Sequence, residues 1–273
     1  TGIIPEKIMI SMKGHRVVEL SPRLKARITR LDGTTEEGTK DPYGLPWILE
    51  EGVAEYDRTL YTLLGARYGD PFWPIGRHSG HHGAHTEAGK GHIDLWDGLP
   101  SDMKGLWEYP VDTFFGEAAV FNFTELAPIE TTPDNYAFSV PAKEGEACIR
   151  GQALLPEHFE RVQEGDILLI NSPFRGMEQP WLPSETSLFL ALEKKIKLLA
   201  VGYPGIQWES AYQADDPHNS PTHRNMLGNN IPIAYPLCNI EQLTKERAFY
   251  YGVPLNVEKM DATWVRPLAF EEE

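Results

Sequence analysis

The segment 78–94 contains the residue types of a metal site. Five of the nine histidines of the chain lie in it, together with carboxylates and glycines. In an extended segment, His81, His85 and Glu87 project to one side, because side chains alternate along a strand. Imidazole and carboxylate suit Zn²⁺, Mn²⁺ or Fe²⁺, and the glycines disfavour a helix. We therefore predict one divalent metal ion, Mn²⁺ or Zn²⁺, held by these three residues; a solvated Gly/His loop is the alternative.

The same segment resembles a known signature. The motif His-x-Gly-Ala-His-x-Glu at 81–87, followed by His92, is similar to the His-x-Gly-Thr-His-x-Asp-x-Pro-x-His signature of the cyclase superfamily, which includes kynurenine formamidase and isatin hydrolase. The departures are Ala84, Glu87 and Gly89, and His92 stands one residue late. The resemblance implies that His92 takes a proton from the attacking water and delivers it to a leaving nitrogen, or that it binds a second metal ion.

The second half of the chain bears on the number of metal ions. Family members with two ions use a histidine and, twelve residues later, a glutamate. His223 matches the histidine, but Tyr235 stands at the second position, and tyrosine is a poor ligand for Zn²⁺ or Mn²⁺ in such sites. The resemblance thus implies one ion per chain. We expect His223 to be a second catalytic residue that hydrogen-bonds the substrate or a group beside the metal.

Apolar periodicity outlines the elements that must position these residues. Short apolar runs bounded by turn residues predict strands over 17–22, 114–123, 167–170 and 197–202. Helical spacing predicts helices over 46–67, 157–162, 184–195 and 240–250. Ser184 and Asn239 are the predicted caps of the last two. In the helix predicted over 184–195, one face carries Leu188, Leu192 and Ile196.

The order of elements predicts an α/β protein. Strand, helix and strand over 166–202 indicate a βαβ unit with parallel strands. The resemblance to the cyclase superfamily extends over 17–269 and includes closing strands at 254–257 and 264–269. It implies the swivelling β/β/α cyclase-like fold, with a central mixed, barrel-like sheet, as a single domain over 1–273. We also expect a homodimer or homotetramer.

Composition limits the partners of the chain. Its 273 residues are 41% hydrophobic, which suffices for a sizeable core. The net charge of −15 argues against nucleic acid or an anionic membrane as a partner, and no apolar run approaches the ~20 residues that span a bilayer. Two cysteines without a CxxC pattern favour a reducing compartment. A cytoplasmic location is therefore expected, although a targeting segment removed before Thr1 stays an open alternative.

Together these residues predict a metal-dependent hydrolase. A metal-activated water would attack the carbonyl of a small-molecule substrate, namely an amide, lactam, imide or lactone. Phe72, Trp73 and Tyr235 are the predicted substrate-binding residues, and such aromatic side chains favour a cyclic or aromatic substrate. Two alternatives stay open: a lyase or cyclase that uses the same metal, and a non-catalytic homologue that binds a small molecule. A catalyst should hold a stoichiometric metal ion with an open coordination position, whereas a binding protein need not.

Overall fold

The computed structural model describes most of the chain beyond its first third. The described residues are 14–23, 27–29, 34–36, 48–50, 83–92, 102–131, 147–203, 205–208, 221–258, 260 and 262–273. The predicted helix over 46–67 lies outside these ranges except at Ile48–Glu50, where a short strand stands instead. Within the described ranges, no helix has both the length and the apolar character needed to cross a membrane.

The described part of the chain contains many short strands and few helices. The strands are β1 (His15–Glu19), β2 (Arg27–Thr29), β3 (Thr35–Glu36), β4 (Ile48–Glu50), β5 (His85–Glu87), β6 (Phe115–Asn122), β7 (Ile129–Thr131), β8 (Cys148–Arg150), β9 (Ile167–Asn171), β10 (Trp181–Leu182), β11 (Leu198–Gly202), β12 (Gln207–Trp208), β13 (Ile233–Leu237), β14 (Arg247–Tyr251), β15 (Ala262–Trp264) and β16 (Leu268–Glu272). The α-helices are α1 (Ser184–Leu188) and α2 (Pro221–Gly228), and a π-helical turn at Phe189–Glu193 continues α1. The 3₁₀ turns are Gly89–His92, Leu106–Glu108, Val111–Phe114, Pro156–Phe159, Gly176–Glu178 and Ile240–Gln242.

Nine of the described strands form one mixed sheet that curls into a half-barrel. Their order is β1-β16-β14-β6-β9-β11-β13-β5-β15. The central pairs β6–β9, β9–β11 and β11–β13 are parallel, and the pairs on either side are antiparallel. The predicted βαβ unit is confirmed, because β9 and β11 are parallel neighbours joined through α1. The predicted mixed, barrel-like sheet is confirmed as well.

The two faces of the central strands contact different core clusters. Every residue of β9 and β11 is buried, as continuous apolar runs predict for parallel strands. One face contributes Leu169 and Ala200 to the first cluster. The other face contributes Ile170 to the second cluster, which also contains Leu190 and Met226. Leu190 belongs to the π-helical turn that continues α1, and Met226 belongs to α2, so this turn and α2 pack on the second face.

Strand predictions are confirmed more often than helix predictions. The strands predicted over 17–22, 114–123, 167–170 and 197–202 are β1, β6, β9 and β11 with slightly different bounds. The helix predicted over 157–162 is a 3₁₀ turn at Pro156–Phe159. The predicted cap at Ser184 is wrong, because Pro183 takes the N-cap position. Residues 254–257, expected to be a strand, are irregular.

The buried face of α1 also differs from the predicted one. Leu188 and Leu192 are 38% and 57% exposed, whereas Ser187 is fully buried. The amide of Asn225 in α2 donates to Ser187 Oγ at 2.7 Å. Polar side chains thus join the two helices, and apolar spacing alone could not indicate that face.

The helix predicted over 240–250 does not form. Asn239 has a left-handed backbone and precedes a 3₁₀ turn at Ile240–Gln242, and β14 follows. Ala248 and Tyr250 are buried while the residues between and after them are more exposed. This two-residue alternation suits a strand, and β14 pairs with β6 and β16 on its two sides. Pairing with two strands therefore outweighs the helical spacing.

Candidate metal centre

Strand β5 carries two of the three predicted metal ligands. It lies between β13 and β15 and is antiparallel to both. His85 and Glu87 are two residues apart in this strand, so their side chains lie on one face of the sheet. Both are buried, with 6% of each exposed. His81, the third predicted ligand, lies outside the described residues.

The carbonyl group of Gly83 orients the imidazole of His85. His85 Nδ1 lies 2.9 Å from the Gly83 oxygen. A carbonyl oxygen only accepts, so Nδ1 donates its proton and the lone pair of the neutral ring is on Nε2. Gly83 has a φ of +64°, which glycine adopts without strain. Metal-binding histidines usually donate their second ring N–H in this way, so the hydrogen bond from His85 to Gly83 is of the kind that such ligands make.

Helix α2 brings His223 to the same face of the sheet. His223 Nε2 lies 3.3 Å from Glu87 Oε1, and the two side chains are 20% and 8% exposed. His223 therefore contacts the carboxylate that is predicted to bind the metal. In this position its imidazole can orient Glu87 through a hydrogen bond, or it can serve as a nitrogen ligand beside Glu87.

Two aromatic residues flank His85 across the sheet. Tyr235 of β13 and Trp264 of β15 are its direct partners in register, so the three side chains share a face. The Tyr235 ring stands edge-on to the imidazole, with 6.4 Å between the ring centroids. Sequence reasoning missed Trp264 as a site residue, because strand pairing rather than spacing places it beside His85.

Gly89 allows α2 to approach the chain that follows β5. A Cβ at this position would lie 2.9 Å from the carbonyl oxygen of Leu227 in α2 and 2.6 Å from the sulfur of Met103. A glycine therefore stands where the backbone of α2 leaves no room for a larger residue. The 3₁₀ turn Gly89–His92 begins at this contact, and the side chain of His92 lies outside the described part.

The described residues include two of the three predicted metal ligands. Among the described residues, no group of three or more His, Cys, Asp or Glu side chains is placed to hold a metal ion. His85 and Glu87 supply a nitrogen and a carboxylate on one face, a combination that suits Zn²⁺ or Mn²⁺. The third ligand that the resemblance implies is His81. The predicted substrate-binding residues outside the described ranges are Phe72 and Trp73.

Comparisons with known proteins find similarity in structure only. No protein-family model and no curated protein matches the sequence. A solved structure described as a potential metal-dependent hydrolase with cyclase activity superposes with a TM-score of 0.54 and 16% identity, over 95% of this chain and 99% of that one. Isatin hydrolase A from Ralstonia solanacearum gives a TM-score of 0.54 and 18% identity, over 94% and 92%. A structure described as a novel cyclase gives 0.50 and 16%, over 98% and 93%.

These similarities define the class of fold. At 16–18% identity they show a shared architecture, and they extend over nearly the whole chain. The protein therefore has the cyclase-like fold, and the fold implied by the sequence resemblance is confirmed.

Proposed function

We propose that this protein is a metal-dependent hydrolase that acts on the carbonyl of a small amide, lactam, imide or lactone. The observation that carries the proposal is the donor set on β5, in which His85 and Glu87 share a buried face and His85 Nδ1 donates to Gly83. A buried carboxylate needs compensating partners; His223 is one, at 3.3 Å, and a divalent cation would be another. The structures that share the fold are named hydrolases and cyclases, which supports this class of enzyme.

The proposed cation site consists of His81, His85 and Glu87. It would hold one Mn²⁺ or Zn²⁺. When bound, such an ion lowers the pKa of a water molecule and polarises a carbonyl group. His223 holds the Glu87 carboxylate from the side of α2, at 3.3 Å.

His92 is the proposed proton carrier. It belongs to the 3₁₀ turn that follows β5, so its backbone is tied to the strand with the cation ligands. A histidine at this place can take a proton from water and pass it to the leaving nitrogen. His223 is the second proposed catalytic residue.

The proposed substrate surface is aromatic. Tyr235 and Trp264 flank His85 on its sheet face, and Phe72 and Trp73 are proposed to complete the surface. Aromatic faces favour stacked or edge-on contact with another ring. The substrate is therefore proposed to be a cyclic or aromatic compound.

Metal analysis combined with a substrate screen tests the proposed function. We expect about one Mn²⁺ or Zn²⁺ per chain and hydrolysis of one class among formamides, cyclic imides, lactams and lactones. Chelation should abolish turnover, and re-addition of the ion should restore it. Incorporation of ¹⁸O from labelled water into the product distinguishes hydrolysis from a lyase or cyclase reaction.

A pair of histidine variants makes the test specific. His85→Ala should lose both the ion and the activity. His158→Ala is the matched control, because His158 lies in the 3₁₀ turn Pro156–Phe159 and accepts a hydrogen bond from the backbone of Leu155. Turnover without any metal, or an ion retained in full by His85→Ala, would refute the proposal.

A further inference from the structure

Two polar side chains tie α2 to the neighbouring elements. Thr222 is fully buried, and its Oγ1 donates to the carbonyl oxygen of Leu182 in β10 at 2.9 Å. Asn225 Nδ2 lies 2.7 Å from Ser187 Oγ, 3.0 Å from Ser184 Oγ and 3.1 Å from the Ser184 carbonyl oxygen. Helix α2 is therefore joined to β10 and to α1 by directional hydrogen bonds.

These bonds matter because α2 is short. It has 8 residues, whereas isolated helices shorter than ~12–15 residues are marginal in water. Its position must therefore come from contacts with the rest of the protein. At its far end, the carbonyl oxygen of Leu227 packs against Gly89, so α2 lies between α1 and the chain that follows β5.

The bonds also determine how α2 is rotated about its axis. Thr222 and Asn225 are three residues apart and lie on one side of the helix. His223 follows Thr222 and points roughly 100° further round. Side chains extend ~5–6 Å from a helix axis, so a rotation of ~10° moves an imidazole by about 1 Å. A displacement of that size would disrupt a contact of 3.3 Å between His223 and Glu87.

We propose that Thr222 and Asn225 are positioning residues that set the contact between His223 and Glu87. Their hydrogen bonds fix the rotation of α2 about its axis and its position along that axis. This placement brings the imidazole of His223 to the carboxylate of Glu87. The consequence for catalysis rests on the proposed function, whereas the placement itself does not. If that function holds, a misplacement of about 1 Å can lower the rate by ~10²-fold.

Side-chain NMR of histidine tests the placement directly. The full chain is labelled with ¹⁵N in its imidazole rings and studied as purified, with the metal content of each variant measured. His223→Gln identifies the His223 signals, and Glu87→Gln shows how they move when the contact is weakened. Thr222→Val and Asn225→Leu remove one donor each while nearly keeping the shape. Each should move the His223 signals in the same direction as Glu87→Gln, by at least half of that shift.

Matched variants separate positioning from simple stability. Thr222→Ser keeps the hydroxyl group, so its His223 signals should stay at their wild-type positions. Asn229→Ala is the control, because Asn229 directly follows α2, is exposed, and its side-chain amide donates to the Asn225 carbonyl oxygen at 2.7 Å. It should leave the His223 signals unchanged.

One outcome overturns the proposal. If Thr222→Val and Asn225→Leu lower the Tm but leave the His223 signals at their wild-type positions, the two residues only stabilise α2. Should Asn225→Leu not fold, the comparison of Thr222→Val with Thr222→Ser decides. If the protein binds no metal and hydrolyses none of the substrates, the proposed function is refuted. The NMR measurement still tests the placement of His223, because it does not depend on turnover.

Discussion

Tyr235 lies directly opposite His85 on the neighbouring strand, with its ring edge-on to the imidazole and 6.4 Å between the centroids. It shares a sheet face with Glu87. It also stands at the position where two-metal members of the resembled family have a glutamate. An aromatic ring therefore borders the candidate centre where a carboxylate could otherwise add a ligand.

The first prediction is that Tyr235→Glu raises the number of bound ions from one to two per chain. The new carboxylate would lie on the face that carries His85 and Glu87, and a further carboxylate there suits a second divalent ion. Tyr235→Phe keeps the ring and should still bind one ion. Calorimetric titration and elemental analysis give the stoichiometry. Two tight ions in the wild type, or a single ion in Tyr235→Glu, would contradict the prediction.

The second prediction concerns the close packing of α2. Gly89→Ala should lower the free energy of unfolding by ~1–3 kcal/mol, as overpacking usually does, because the new Cβ would lie 2.9 Å from Leu227 O and 2.6 Å from Met103 Sδ. It should also weaken metal binding, since it forces α2 away from the strand that holds Glu87. Denaturant unfolding and metal titration measure the two effects.

Gly14→Ala is the control for Gly89→Ala. No atom lies within 4 Å of a Cβ at Gly14, but its φ of +83° disfavours alanine. The control should therefore lose some stability through the backbone alone and keep its metal affinity. Unchanged metal affinity in Gly89→Ala would show that the contact does not shape the site.

The sequence predicts those features of the fold and of the site that depend on residues close together in the chain. The parallel centre was predictable because buried parallel strands are continuous apolar runs, as in 167–170. His85 and Glu87 could be placed on one face because side chains alternate along a strand. Trp264 could not be placed beside His85, since only the pairing of β15 with β5 brings it there. Helical spacing places Tyr250 in a helix, whereas its strand is defined by pairing with β6 and β16, which are distant in sequence.

The third prediction concerns acid stability and the buried carboxylate of Glu271. Glu271 is 3% exposed and accepts hydrogen bonds at 2.6 Å from the backbone N–H groups of Lys245 and Thr244 and from Arg16. Burial is the largest single effect and raises the pKa of Glu271, but the hydrogen bonds together hold that pKa below its ordinary value of 4.5. A pKa lowered by folding stabilises the protein above the unfolded value, and this stabilisation is lost as the pH falls through the folded value.

Glu271→Gln should therefore lower the free energy of unfolding near neutral pH by ~1–3 kcal/mol, since it weakens hydrogen bonds to a charged group. The difference from the wild type should begin to shrink as the pH falls below the ordinary pKa of 4.5, and it should shrink further as the pH falls through the lowered pKa of folded Glu271. Chemical denaturation across the acid range measures it. Glu272→Gln, at an exposed neighbouring position, is the control and should show little difference at any pH. If the difference in free energy of unfolding between the wild type and Glu271→Gln does not change with pH, this account is wrong.

The last prediction separates the proton carrier from the metal ligands. His92→Asn should keep the metal and lower kcat by ~10²–10⁴-fold, which is the usual contribution of general acid–base catalysis. Its pH–rate profile should lose one limb, because the titrating group is removed. His85→Ala should instead lose metal and activity together, since it deletes a proposed ligand. Metal analysis and steady-state kinetics distinguish the cases. If His92→Asn loses its metal, His92 is a ligand; if it keeps full activity, the proton carrier lies elsewhere, and His223 is the next residue to test, because it already contacts Glu87.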